Sequence, residues 1–361
     1  MESTLPYNGE MFRLGRQYRD FTQQQLGLAV GVQPSTISRI ENGVIQPSDD
    51  LAQRVSREFR LPLGFFKQPE HLYGLPLSVH PMWRKRAAVS QGNIDRALAT
   101  MNIHLLHLRR LTSSLRFAPI LPLPNMDVES YDGDVPKIAQ ALRRTWQMPA
   151  GPVKDLTAWV ERAGCFVVHL DLPDESMDGV TLRAPDLAPC IFLNRRLPAD
   201  RMRFTLAHEL GHLIMHRYPT QDMEDEANKF AGSFLVPAAD IQPYFAGRRI
   251  TLQLLASLKP EWRVAMQSLL YRAIELEYID KNQSRYLWMQ FNKLKMRMRE
   301  PPELDFPIEQ PTLAPRVVQL HLQELGYSMA DLQTVLNMYE EELVELHAIR
   351  AEPGRPQLRI V

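Results

Sequence analysis

Hydrophobic residues recur at helical spacing along most of the chain. Between residues 9 and 66 the apolar positions fall three and four apart, with short polar breaks between them. This period is typical of amphipathic helices, and five short helices fit the segment. The same pattern predicts a long helix from Asn93 to about Leu115 and further helical structure from 135 to 163. Beyond Pro237 the chain is again mostly helical, with a proline-rich interruption.

The periodicity changes at Gly164. Three short segments rich in β-branched and apolar residues follow it, CFVVHLDL, DGVTLRAP and PCIFLNRRL, and they predict a small sheet of about three strands. The fold class expected is therefore α+β and mostly helical. We predict four parts: a five-helix bundle at 9–66, a connector with a long helix at 67–134, a sheet-containing domain at 135–245 and a helical region at 250–361.

Composition narrows the function classes. The 361 residues include 42 basic and 42 acidic side chains, so any nucleic-acid binding must come from a local patch. Two cysteines, Cys165 and Cys190, are too few for a disulfide scaffold, and both are expected to be small buried residues in strands. The N-terminal segment lacks the pattern of a signal peptide, and no apolar run approaches the ~20 residues of a membrane span. We expect a soluble, cytoplasmic protein with no membrane partner.

The stretch FTQQQLGLAVGVQPSTISRIENG has the order of a helix-turn-helix. Thr22 can cap a first helix, Gly31 permits a sharp turn, and Gln33 to Asn42 can form a second helix. This stretch resembles the Cro/C1-type (XRE) repressor family, in which TQxxLA and GVxxSTISRIENG recur in this order. The resemblance covers residues 9 to 66.

The resemblance implies that the second helix enters the major groove of double-stranded DNA. The residues expected to face the bases are Gln33, Ser35, Thr36, Ser38 and Arg39. Gln23 is expected to donate to a phosphate, with Arg13, Arg16, Arg19 and Arg39 available for the backbone. Residues 1 to 66 contain seven arginines and seven acidic residues, so one copy should bind weakly and a homodimer is expected. The alternative is a bundle that serves protein contact.

The stretch FTLAHELGHLIMHR predicts a metal site. His208 and His212 lie four residues apart, on one helix face, with Glu209 directly after the first histidine. A hydrolytic site needs a third ligand and an open position. The following helix, MEDEANKFAGSFLVP, offers Glu224, with Asn228 one turn further on to support a ligand histidine.

Two other residues near the site are weighed against this set. Glu226 is the second choice for the third ligand, because it points to another side of the same helix. His216 follows His212 by four residues and is expected to be a histidine at a helix end, since a fourth protein ligand would close the position that water needs.

Together these segments resemble the ImmA/IrrE family of metallopeptidases over about residues 150 to 240, with LVP where that family usually has LMP. The resemblance implies a zincin-like domain, Zn²⁺ held by His208, His212 and Glu224, and Glu209 as the general base. In that family the peptidase commonly cuts a separate helix-turn-helix repressor. We therefore expect a DNA-binding regulator that cleaves a regulatory protein or itself in response to a signal. The alternative is a regulator whose metal domain is a non-proteolytic sensor or interaction module.

Overall fold

The computed structural model of the chain describes residues 6–70, 72, 90–115, 118–173, 177–297 and 299–349. These residues form sixteen α-helices around one three-stranded sheet, so the expected α+β, mostly helical class is confirmed. None of the helices in these ranges is long and apolar enough to cross a membrane. Residues 73–89 of the predicted connector and the end of the C-terminal region, 350–361, lie outside the described residues.

The N-terminal bundle contains four α-helices and a short 3₁₀-helix. The α-helices are α1 (Gly9–Tyr18), α2 (Gln23–Val30), α3 (Pro34–Glu41) and α4 (Asp49–Phe59), and the 3₁₀-helix is Leu63–Lys67. Thr22 caps α2 through a reciprocal capping box with Gln25, and Gly31 ends it with a φ of 69°. The fifth predicted helix is thus a single tight turn, which follows Pro62 and places Phe65 and Phe66 in the core.

Along the described part of the chain, three α-helices follow the bundle and precede the first strand: α5 (Gln91–Thr112), α6 (Val135–Thr145) and α7 (Leu156–Arg162). The predicted long helix is α5, which begins two residues earlier and ends three residues earlier than the sequence pattern indicates. The predicted helical stretch from 135 to 163 is divided, because Pro149, Gly151 and Pro152 separate α6 from α7.

The sheet has the order β1-β3-β2. Its strands are β1 (Phe166–Leu170), β2 (Gly179–Leu182) and β3 (Cys190–Asn194). The central strand β3 runs parallel to β1 and antiparallel to β2, and all five of its residues are buried. Because side chains alternate across a strand, the two faces of the sheet enter different cores. Ile191 and Leu193 lie on one face, and Phe192 lies on the other.

Nine α-helices follow the sheet in the part of the chain that the structure describes. They are α8 (Ala199–Met215), α9 (Met223–Leu235), α10 (Ala238–Phe245), α11 (Leu252–Trp262), α12 (Met266–Glu275), α13 (Lys281–Lys293), α14 (Leu313–Gln323), α15 (Met329–Leu336) and α16 (Glu340–His347). Helices α8 to α13 pack with α6 and α7 on the face of Ile191. Helices α14 to α16 pack with α5 and the N-terminal bundle on the face of Phe192. The sheet therefore separates a core that contains α8 from a core that contains the bundle.

Candidate metal centre and DNA-binding surface

His208, His212 and Glu224 come together between α8 and α9. The Nε2 atoms of His208 and His212 lie 3.0 Å apart. The Glu224 oxygens lie 3.4 Å from His208 Nε2 and 3.5 Å from His212 Nε2. Among the described residues these three form the one group of histidine, cysteine or carboxylate side chains with a metal-binding arrangement. The one-turn spacing on α8 accounts for the histidine pair, and the packing of α9 against α8 brings the carboxylate to it.

The arrangement fits a metal ion with tetrahedral geometry. Ligand atoms about 2.0–2.1 Å from such an ion lie about 3.3 Å from one another. The two histidine nitrogens are 3.0 Å apart, and each has a different Glu224 oxygen near it, Oε2 at 3.4 Å from His208 and Oε1 at 3.5 Å from His212. Both oxygens of Glu224 are buried, and neither accepts a hydrogen bond from the described part of the chain. A buried carboxylate without donors is costly unless a cation compensates its charge. Two imidazoles and one carboxylate are also donors that Zn²⁺ prefers.

Asn228, which the sequence suggested as a support for a ligand histidine, lies next to His208. The Oδ1 atom of Asn228 lies 3.0 Å from Nδ1 of His208. An amide oxygen can only accept, so Nδ1 of His208 donates the hydrogen. The lone pair of His208 is then on Nε2, the atom that faces His212 and Glu224.

His216 and Glu226 occupy positions that sequence reasoning did not assign. His216 directly follows the last residue of α8, at the helix end as expected, and its Nδ1 lies 2.9 Å from Nδ1 of His212. Its Nε2 lies 3.0 Å from Oε2 of Glu226. Glu226, the second choice as a ligand, therefore contacts His216 instead of joining the three ligand atoms. The signal available in the sequence was the third histidine at the four-residue spacing of the first two.

Glu209 lies beside the metal-binding group and contacts the sheet. Its side chain is buried, and Oε2 accepts a hydrogen bond of 2.7 Å from the Thr181 hydroxyl on β2. Burial raises the pKa of the Glu209 carboxyl above its usual value. Sequence reasoning missed Thr181, since nothing in the local pattern shows which strand residue faces α8. The two cysteines and His169 take no part in this group: both cysteines are buried and free, and His169 is half-buried on β1.

Five of the six DNA-binding residues predicted from the sequence lie on α3 or at its start, and the sixth, Gln23, is the first residue of α2. Gln33, Ser35 and Arg39 are exposed, whereas Thr36 and Ser38 are half-buried. Ile37 and Ile40 on the other side of α3 are buried in the bundle core. The helix therefore presents a polar face to solvent while its apolar face holds it against α1 and α2.

Other residues expected near DNA have contacts inside the protein. Buried Glu41 accepts hydrogen bonds from Arg16 at 2.5 and 2.9 Å and from the Gln23 amide at 2.8 Å. Arg13 donates to Asn42 at 2.7 Å, and Arg19 pairs with Glu342 of α16 at 2.6 Å. Among the four arginines considered for the DNA backbone, Arg39 is exposed, and the other three are half-buried.

The chain joins a helix-turn-helix bundle to a helix pair that carries the motif HExxH, formed by His208, Glu209 and His212. This combination defines a class of protein, a DNA-binding regulator with a protease-like domain. Comparison with known families identifies both domains. Residues 13–66 match the helix-turn-helix family, and residues 160–273 match the IrrE N-terminal-like domain of the M78 peptidases. The chain is a fusion of an XRE-type helix-turn-helix domain with an ImmA/IrrE-like peptidase-family domain. No curated protein matches the chain.

Proposed function

We propose that this protein is a transcriptional regulator whose second domain is a zinc-dependent endopeptidase. In this proposal, the peptidase cleaves a regulatory protein, either a separate repressor or the chain itself, in response to a signal. The observation that carries the proposal is the meeting of His208, His212 and Glu224 beside the carboxylate of Glu209. Three protein ligands leave the fourth position of a tetrahedral zinc ion for water or substrate.

The residues around the centre support a hydrolytic role. Bound zinc would supply Lewis acidity toward a water molecule and a peptide carbonyl. Glu209 would take the proton from the attacking water and give it to the leaving amine. The raised pKa of Glu209 favours the first of these transfers, because it makes the protonated carboxyl easier to form. Thr181 would hold one oxygen of Glu209 in place and leave the other oxygen for the water.

The fusion supports a regulatory substrate. A DNA-binding domain would concentrate the peptidase at a particular DNA site, close to any repressor bound there. The proposed contacts to double-stranded DNA are Gln23, Gln33, Ser35, Thr36, Ser38 and Arg39. We propose that the protein binds as a homodimer, since two copies would address half-sites about one helical turn apart.

Cleavage is tested by comparing the wild type with Glu209→Gln. Both full-length proteins are incubated with zinc, with and without a DNA duplex selected from a random pool, and intact mass follows the chain and an added helix-turn-helix repressor. The proposal predicts fragments from the wild type only, because the amide that replaces the carboxylate in the variant cannot take up a proton. Equal fragments from both proteins would refute the role of Glu209, and random duplexes that yield no enriched motif would refute operator binding.

A non-proteolytic sensor is the second candidate, and the burial of the centre favours it. His208, Glu209 and His212 have exposed fractions of 7%, 5% and 6%. A peptide would need access to these residues, whereas a metal ion alone would not. This candidate predicts that both proteins stay intact with every repressor tested, and that addition or removal of zinc changes operator affinity.

A further inference from the structure

We propose that His216 and Glu226 are positioning residues for the ligand histidine His212. The inference rests on the proposed metal centre. In it, Glu226 holds His216, and His216 in turn fixes which nitrogen of His212 carries the hydrogen and how the His212 ring is oriented.

The three side chains form a continuous hydrogen-bonded row. Oε2 of Glu226 lies 3.0 Å from Nε2 of His216, and Nδ1 of His216 lies 2.9 Å from Nδ1 of His212. The row ends at Nε2 of His212, which faces the ligand atoms of His208 and Glu224. The His216 side chain is 5% exposed and that of Glu226 is 21% exposed, so water has little access to the row.

The chemistry of each atom sets the direction of the hydrogen bonds. An ionised carboxylate can only accept, so Nε2 of His216 carries a hydrogen and donates it to Glu226. A neutral imidazole has one donor nitrogen, so Nδ1 of His216 accepts from Nδ1 of His212. The lone pair of His212 is thereby left on Nε2, the atom that can bind a metal.

The two ligand histidines are therefore supported in different ways. His208 donates directly to the neutral amide of Asn228. His212 donates to the ring of His216, which in turn donates to the carboxylate of Glu226. Asn228 and Glu226 both lie on α9, which also carries Glu224, so the packing of α8 on α9 sets the orientation of all three ligands at once. Outer contacts of this kind typically change metal affinity 10- to 100-fold when they are removed.

Four full-length variants test the proposal, with zinc affinity measured by competition against a chromophoric chelator. His216→Leu removes the acceptor for His212 and should weaken zinc binding about 10- to 100-fold. His216→Asn places an amide oxygen near the former Nδ1 position, as Asn228 does for His208, and should recover most of that loss. Glu226→Gln keeps an acceptor but removes the charge, and should weaken binding less than His216→Leu does, by about 3- to 10-fold.

Asp225→Asn is the matched control, because Asp225 is an exposed acidic residue of the same helix turn. It should keep zinc affinity within about 2-fold of the wild type, well below the loss expected for the contacting residues. Thermal melts of the metal-free proteins show whether a variant has lost its fold rather than its metal contact. A role limited to tying α8 to α9 would move these melts and leave zinc affinity unchanged.

The outcomes separate this inference from the proposed function. Wild-type affinity in His216→Leu, a His216→Asn protein as weak as His216→Leu, or an Asp225→Asn loss as large as that of Glu226→Gln would each overturn the positioning role alone. A wild-type chain that binds no zinc would overturn the metal centre itself. A chain that binds zinc but cleaves nothing would still give a full test of His216 and Glu226.

Discussion

Three buried histidines between α5 and α16 should make the protein sensitive to mild acid. His104, His107 and His347 have exposed fractions of 3%, 2% and 7%. Nδ1 of His107 lies 2.9 Å from Nε2 of His347, while Nε2 of His104 is buried and has no hydrogen-bond partner in the described part of the chain. Burial lowers the pKa of His104 to about 3 and that of His347 to about 4.

The sign of the effect follows from the unfolded state. A histidine in an unfolded chain has a pKa of about 6.5, so the unfolded protein takes up protons first as the pH falls. The free energy of unfolding therefore decreases from about pH 6.5 down to the folded-state pKa. At pH 5 the loss relative to pH 7 is about 2 kcal/mol for each histidine that stays neutral in the folded protein.

Replacing His104 tests this magnitude. The His104 ring centroid lies 6.1 Å from that of Phe192 and 5.5 Å from that of His347, so it already packs among aromatic rings. His104→Phe should change the free energy of unfolding by less than about 1 kcal/mol at pH 7, because it removes a neutral group of similar shape. At pH 5 the variant should be about 2 kcal/mol more stable than the wild type.

The measurement is urea unfolding followed by tryptophan fluorescence at pH 7 and pH 5. Comparing variant with wild type at each pH cancels the contribution of the histidines at the metal centre, which both proteins share. If the difference between the two proteins is the same at both pH values, His104 does not stay neutral in the folded state and the reasoning is wrong.

Three further predictions concern the sheet, the turn and the DNA-binding surface. Thr181→Val should leave zinc content unchanged and slow any Glu209-dependent cleavage about 10-fold, because Glu209 loses the hydrogen bond from the Thr181 hydroxyl. Cleavage is followed by intact mass, and a loss of zinc in this variant would contradict the prediction. Gly27→Ala should lower the midpoint of thermal unfolding, because a Cβ there would lie 2.7 Å from the Val32 carbonyl oxygen. This clash outweighs the helix preference of alanine. A higher midpoint would show that the turn relaxes around the added methyl group. Arg39→Ala should weaken operator binding about 5- to 150-fold in a fluorescence anisotropy titration. Arg54→Ala is the control and should change binding little, since Arg54 pairs with Asp50 on α4. Equal losses in the two variants would refute the assignment of Arg39 as a DNA contact.

The sequence predicts those parts of the site that depend on helix pitch. His208 and His212 share a face because they are one turn apart, and Glu224 and Asn228 share a face for the same reason. Two other contacts between elements were not predictable from the sequence. Thr181 reaches Glu209 only because of the order of the strands, and His216 meets Glu226 only because of how α9 lies on α8.

The fold shows the same limit. Periodicity predicts α5 and the helices after residue 312, but it cannot show that they pack with the N-terminal bundle. That packing depends on contacts between residues far apart in the chain, such as the 2.7 Å hydrogen bond from the Tyr18 hydroxyl to Glu342. The apolar side chains on both faces of β3 then connect the two cores, and no local pattern states which helices cover which face.

Zinc content measured on purified wild type, Glu209→Gln and His208→Ala tests the central claim most directly. After incubation with zinc and removal of free metal, elemental analysis by inductively coupled plasma mass spectrometry should find about one zinc per chain in the wild type and in Glu209→Gln, because both retain the three ligands. His208→Ala should retain essentially none. Equal zinc in the wild type and His208→Ala would contradict the assignment of His208, His212 and Glu224 as the metal centre.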